Sequence, residues 1–182
     1  MEVQEAIKSR RAIRKYKTTP VDDKTLELVL EAARWAPSWA NTQCSRFIVV
    51  RDAKTKSELA SALPESNPAL DAVRKAPVVI VACAEIGKAG YIGGELGSDK
   101  GDWYMFDLAL AMQSLVLAAH ALGLGTVYIG WFDAKKVASM LEVPQGFCVV
   151  TMTPLGYPDQ QPSPTPRKEL SEIVSYEKYS LK

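Results

Sequence analysis

Between Val21 and Pro37 the apolar residues Leu26, Val29, Leu30 and Ala33 recur at helical spacing and form one stripe. Asp22 stands where an N-cap belongs, and Val21 is placed to staple onto Leu26. Ala36-Pro37 ends the run, because the residue before a proline avoids the helical region. A shorter helix is predicted over residues 2–8. Two apolar, β-branched runs at 47–50 and 78–84 read as strands, with short helices between them near 57–63 and 69–75. The longest apolar stretch, 102–122, reads as a helix closed by Gly123 and Gly125. A third strand follows at 126–129, then a helix over 134–141 opened by Asp133, and a fourth strand at 147–152. Residues 154–166 carry five of the eleven prolines and read as a stiff, extended segment. Few strands in irregular alternation with helices predict a layered α/β or α+β domain on one sheet. At 182 residues the chain has the length of a single domain, 1–182.

The stretch DWYMFDLALAMQSLVLAAHAL is nearly long enough to span a bilayer, but Asp107, Gln113 and His120 interrupt it. A helix apolar on most sides is also what a buried central helix looks like, and that is the reading adopted here: no membrane.

Bulk composition narrows the function classes. Hydrophobic residues are 47% and charged residues 24% of the chain, an ordinary globular balance. A formal net charge of +1 favours neither nucleic acid nor an anionic membrane as a partner of the whole molecule, so any basic site is local. Cys44, Cys83 and Cys148 are far apart in sequence and contain no C-x-x-C pair. That suits a reducing compartment, and with no apolar run after the first basic residues the expectation is cytoplasmic.

Several chemistries lack their residues. One histidine and scattered cysteines make no metal site. There is no G-x-S-x-G elbow, no phosphate loop ending in G-K-[ST], and no G-x-G-x-x-G after a strand. His120, alone in an apolar helix, reads as a core residue. Chemistry, if present, falls to a cofactor.

Four segments carry positive signals. Lys8-Ser-Arg10-Arg11-Ala-Ile-Arg14-Lys15-Tyr16 holds five basic residues. Arginine presents a rigid fork of donors matched to phosphate, so Arg10 and Arg11 are candidate phosphate ligands, and Arg14 can reach a second anionic point. Ala36-Pro37-Ser38-Trp39-Ala40-Asn41-Thr42-Gln43 puts amides, hydroxyls and an indole in one loop, a lining suited to a heteroaromatic ring with alternating donors and acceptors. In Gly123-Leu-Gly-Thr-Val-Tyr128-Ile129-Gly130, the last glycine at a strand end permits close approach of a ligand. Pro166-Arg167-Lys168 follows the proline-rich segment. The competing reading is a solvated basic arm that engages nucleic acid or another polyanion; it leaves the Ala36–Gln43 loop and Pro166-Arg167-Lys168 unexplained.

Taken in order, S-R-R-A-I-R-K-Y, A-P-S-W-A-N-T-Q, A-H-A-L-G-L-G-T-V-Y-I-G and L-G-Y-P…P-R-K-E-L-S-E-I-V resemble the successive blocks of the FMN-dependent nitroreductase superfamily, over essentially the whole chain. The resemblance implies a nitroreductase-like α+β fold: a central, mainly antiparallel sheet flanked by helices in three α/β/α layers, with an extended C-terminal segment. It implies a homodimer with FMN at the interface. Arg10 and Arg167 match positions that hold the FMN phosphate, with Arg11 and Lys168 beside them. Arg14 matches a cation near the pyrimidine edge of the flavin, where positive charge stabilises the reduced ring. Pro37, Ser38, Trp39 and Asn41 match a loop that touches the flavin of the other subunit. Tyr128, Ile129 and Gly130 match backbone lining the flavin near N5. No side chain is implied as an essential acid or base, and no metal. NADH or NADPH would reduce the flavin and leave, and a small organic acceptor of nitroaromatic, quinone or enal type would then take its place. Other flavin chemistry, dehalogenation or dehydrogenation, is open within the same superfamily. The chain departs from the pattern at Ala12, where a serine is usual; at Cys44-Ser45, where Pro-Trp is common; and at the bulky Trp39. Residues 87–101 hold six of the eleven glycines and read as a mobile loop or lid on the substrate side.

Overall fold

The Asp22 carboxylate accepts the Thr25 backbone N–H at 2.9 Å and so opens α2 (Asp23–Arg34) as its position before the apolar stripe predicts. Val21 and Leu26 are both buried, together with Val29 and Ala33, so the stripe is the face that α2 turns inward. In this computed structural model, which describes residues 1–180, α1 (Val3–Ser9) precedes it and β1 (Ser45–Val50) follows the loop at 37–43. The remaining elements are α3 (Ala53–Ala60), α4 (Leu70–Lys75), β2 (Val78–Glu85), β3 (Tyr91–Ile92), β4 (Glu95–Leu96), α5 (Tyr104–Ala121), β5 (Gly125–Thr126), α6 (Ala134–Met140) and β6 (Phe147–Gly156).

Four strands form one sheet in the order β1-β2-β6-β5, every neighbour antiparallel. β2 is its spine, buried from Val78 to Ala84, and its two faces feed two different cores. Val78, Ile80, Ala82 and Ala84 pack with α2 and α5. Val79, Val81 and Cys83 pack with α3, α4 and α6. Alternation along one strand thus dictates three layers, α/β/α, with a hydrophobic core on each side of the sheet. Each fully buried leucine, such as Leu59 in one core or Leu115 in the other, contributes about 1.5–3 kcal/mol relative to exposure.

Several boundaries differ from those expected. The helix expected at 57–63 starts earlier, at Ala53, because Asp52 caps it by accepting the Thr55 N–H at 2.7 Å. The third strand is shorter than its apolar run: only Gly125–Thr126 pair in the ladder, and Ile129 makes one isolated bridge to Met152. β6 is longer, running through Pro154 to Gly156. The proline has no N–H to give, and its carbonyl accepts from Thr153 Oγ1 at 3.1 Å and Tyr16 Oη at 3.4 Å. The extended arm therefore begins after Gly156 rather than at Pro154.

The glycine-rich segment is a small hairpin, not an unstructured loop. Gly93 and Gly94 turn β3 back onto β4 with φ of 61° and 89°, a tight turn that side-chain-bearing residues resist. Its base is tied down: Asp102 Oδ2 accepts the Gly87 N–H at 2.6 Å, and the Trp103 N–H donates to Ala89 O at 2.9 Å.

α5 sends Leu108, Ala111, Met112, Leu115, Val116 and Ala119 into the core it shares with α2 and the sheet. Its apolar run belongs to a helix laid on a sheet, with Met105 and Phe106 each left 55% exposed. Cys83 and Cys148, distant in sequence, are on neighbouring strands but turn into opposite cores, and all three cysteines are free.

Candidate functional site

The arginine segment leaves α1 at Arg10 and runs extended beside β5. Ile13 donates its N–H to Thr126 O at 2.9 Å, and Ala12 bridges Thr126 in parallel. Ile13 is buried against Gly125, where an added Cβ would lie 2.7 Å from the isoleucine Cβ, so only glycine admits this approach. The close packing fixes the path from Arg10 to Arg14. A cavity of about 420 Å³ on one flank is lined by Ser9, Arg10, Arg11, His120, Thr126 and Gln160. A second cavity, about 550 Å³, is lined by Arg14, Lys15, Tyr16, Pro68, Asp71 and Gln160. Gln160 belongs to both, and its amide donates to Ala12 O at 3.4 Å. Among the described residues no carboxylate pairs with Arg10, Arg11 or Arg14. Three guanidinium groups without a salt-bridge partner thus lie along one strip of a nearly neutral protein, opening into two cavities.

The 37–43 loop owes its shape to a carboxylate from another element. Asp107, buried in the first turn of α5, accepts the Trp39 N–H with both oxygens at 3.0 Å and the Thr42 hydroxyl at 3.4 Å. Ser38 Oγ accepts the Gln43 N–H at 2.9 Å and closes the loop on itself. Within it Ala40, Asn41 and Gln43 adopt φ of 43°, 57° and 49°, left-handed conformations that are costly outside glycine. Cys44 sits next to Asp107, and burial with that neighbouring negative charge pushes its thiol up to about 11. The Trp39 ring lies 5.2 Å from the Trp103 ring, which stacks edge-on against Phe106 at 5.0 Å. Both indole N–H groups are buried without a partner.

The third segment is positioned by β6. Ile129 and Met152 exchange backbone hydrogen bonds at 2.9 and 3.2 Å, and Thr151 Oγ1 donates to Ile129 O at 2.9 Å. Ile129 is thereby buried, whereas Gly130 faces open space: an added Cβ would meet nothing within 4 Å. The Tyr128 hydroxyl donates to Gln113 Oε1 at 3.1 Å, and burial pushes it up to about 12. Asn67 supports the far side, donating from Nδ2 to Trp131 O at 2.9 Å and accepting the Ala69 N–H on Oδ1 at 2.9 Å.

Of the expected site residues, the structure gathers Arg10, Arg11 and Ala12 along β5, with Arg14 at the end of the same strip. Pro37, Ser38, Trp39 and Asn41 gather separately, around Asp107. Arg167 and Lys168 are exposed, and Arg167 folds back on its own segment through Thr165 and Pro166. Asp107 and His120 are thirteen residues apart on α5, which at helical rise is about 20 Å. The loop is tied to the first and the arginines adjoin the second, so one chain holds its two groups at opposite ends of a helix. Sequence reasoning missed Asp107, Asn67 and the place of His120. The available signal was a carboxylate and an imidazole inside an otherwise apolar helix.

Comparison with known proteins places the chain in a family. The model of the Nitroreductase family matches residues 7–157. A nitroreductase family protein from Clostridium novyi NT is 36% identical and superposes with a TM-score of 0.79 over 87% of this chain and 86% of that one. An NADH dehydrogenase from Thermus thermophilus is 30% identical over 199 residues, covering 96% of this chain and 95% of its own length. An FMN reductase (NAD(P)H) from Bacillus subtilis is 28% identical over 189 residues, covering 98% of this chain and 74% of its own. With its antiparallel sheet between two helical layers and its match over most of its length, the chain belongs to the nitroreductase family and is an oxidoreductase.

Proposed function

We propose that this protein is a single-domain, FMN-dependent oxidoreductase of the cytoplasm that takes electrons from NADH or NADPH and reduces a small organic acceptor, working as a homodimer. The observation that carries the reading is the strip that holds Arg10, Arg11 and Arg14, without a salt-bridge partner among the described residues, alongside β5. The residues present fit the cofactor: a phosphate needs the arginine forks, and a flat ring needs backbone it can approach closely. Arg10 and Arg11 would hold the phosphate end. Arg14 would place positive charge beside the ring's pyrimidine edge, and Tyr128, Ile129 and Gly130 would line its reactive side. When bound, FMN supplies the redox chemistry, accepting a hydride equivalent from NAD(P)H and passing it to the second substrate in ping-pong order.

The chain's own residues orient and enclose. Arg14 favours whichever state of the site carries more negative charge. Trp39, Trp103 and Phe106 form an aromatic cluster beside the 37–43 loop, an apolar surface suited to a flat acceptor such as a nitroaromatic, quinone or enal.

A second copy supplies what one chain separates. If two α5 helices pair antiparallel about a two-fold axis, the Asp107 end of each meets the His120 end of the other, and each 37–43 loop reaches the partner's arginines. Met105 and Phe106 give α5 an exposed apolar face for that contact. The C-terminal arm carries Leu170, Ile173, Val174, Tyr176 and Tyr179 exposed, more apolar surface than an isolated tail needs. Arg167 and Lys168 at the base of the arm would complete the phosphate site.

The test is an absorbance spectrum of the purified protein with identification of the released chromophore. Oxidised-flavin bands and FMN on denaturation are expected, bleached by NAD(P)H under anaerobic conditions. A colourless protein that does not take up added FMN would overturn the proposal.

A further inference from the structure

His120 is the only histidine of the chain, and its ring meets Ser9 at the rim of the cavity that holds Arg10 and Arg11. Ser9 Oγ lies 2.6 Å from Glu5 O and 2.7 Å from His120 Nε2. A hydroxyl has one proton, and a backbone carbonyl can only accept. The Ser9 proton therefore goes to Glu5 O, and His120 must donate from Nε2–H to Ser9 Oγ. This fixes the neutral tautomer and leaves Nδ1 as the nitrogen that titrates. The bond ties the C-terminal turn of α5 to the residue immediately before the arginine pair.

We propose that His120 is a positioning residue for the phosphate end of the cofactor: its Nε2–H holds the Ser9–Arg11 turn in place, and its Nδ1 takes up a proton when the dianionic phosphate binds. The inference rests on the FMN reading above. The charged groups facing the imidazole are Arg10 and Arg11 from the turn and Glu5 from α1. Desolvation is the largest influence holding His120 below its usual value; the two arginines act in the same direction and Glu5 in the opposite one. Without an anion the ring is thus neutral at neutral pH. A phosphate neutralises the arginines and adds negative charge of its own, which reverses the local balance and favours the imidazolium. Proton uptake and phosphate binding then strengthen each other by linkage.

The experiment compares release of FMN and of riboflavin from the reconstituted protein at about pH 6 and about pH 8.5, values on either side of the ordinary histidine range. His120→Gln keeps an N–H for Ser9 and removes the charge. Relative to wild type it is expected to hold FMN more weakly at the lower pH and equally at the higher, by about tenfold for each unit that bound phosphate raises the histidine. Riboflavin, which has no phosphate, should show no such difference. Ser9→Ala keeps the charge and removes the acceptor, and should weaken FMN at both pH values more than riboflavin. For wild type alone, titration calorimetry in two buffers at about pH 7 should find net proton uptake with FMN and none with riboflavin. Equal FMN-to-riboflavin ratios in wild type and H120Q at both pH values, or no proton uptake, would overturn the role of His120. Failure of wild type to bind either flavin would instead overturn the FMN reading itself.

Discussion

Asp107 and Trp39 are 68 residues apart in sequence, yet both carboxylate oxygens lie 3.0 Å from one backbone N–H. That contact holds a loop in which three non-glycine residues are left-handed. Removing the acceptor strands a buried N–H, at a cost of about 1–3 kcal/mol, and frees the loop to relax. Asp107→Ala is expected to lower the melting temperature and the flavin retained per protein. Asp107→Asn, which still offers one oxygen, should lose less of both. Thermal unfolding with flavin-to-protein ratios on the same samples decides this; full retention of flavin in D107A would separate the loop from the cofactor.

Gly130 offers the opposite kind of test, because nothing lies within 4 Å of where its Cβ would be. Gly130→Val should leave stability of the flavin-free protein within about 0.5 kcal/mol, as expected for an exposed site without packing. The side chain would nevertheless occupy the space a ring must approach. Flavin affinity should therefore fall steeply without a matching loss in melting temperature, read by fluorescence titration beside calorimetry.

Gly125→Ala separates packing from ligand space. Its Cβ would meet Ile13 Cβ at 2.7 Å, and the isoleucine cannot yield without moving the strip that carries Arg11 and Arg14. A loss of about 1–3 kcal/mol is expected from overpacking, together with weaker flavin binding. Retained affinity at reduced stability would mean that the strip tolerates the shift.

His120 also makes a statement about acid stability in the flavin-free protein. Its folded value lies below the ordinary one, so the unfolded chain binds the proton more tightly. The stability it contributes is present above about pH 6.5 and is lost as pH falls through that value. Denaturant unfolding at about pH 7.5 and about pH 5 should show a smaller decline in H120Q than in wild type. An equal decline would place the acid sensitivity in other groups.

These residues also mark where the sequence could be read. α2 was legible because its stripe, its cap and its proline stop are all local, and β2 because a run of seven buried apolar residues has no other comfortable place. The arginine strip, the 37–43 loop and Gly130 stood out as candidate chemistry through their residue types and their family-like order. Asp107 was visible only as an interruption in an apolar helix, since its partners Trp39 and Thr42 lie 68 and 65 residues earlier. His120 resembled a core residue because nothing local announces Ser9, 111 positions earlier. The hairpin at 91–96 was hidden by the abundance of glycine around it, which permits a tight turn and a loose loop equally.

The proposed two-fold arrangement can be tested at α5 without touching the arginines. Met105 and Phe106 are each 55% exposed in a single chain, and Phe106 also leans on Trp103. A charge at either position would be desolvated by a partner helix but not by the chain's own fold. Met105→Glu and Phe106→Glu are therefore expected to shift the protein from dimer to monomer in sedimentation or light scattering. If each 37–43 loop completes the partner's site, flavin should be lost along with the dimer, although Arg10, Arg11, Arg14 and Gly130 remain intact in every chain. Met105 is the cleaner probe, because Phe106 also supports the aromatic cluster. A monomeric Met105→Glu protein that still binds flavin with wild-type affinity would place the whole site within one chain, and the loop held by Asp107 would need another role.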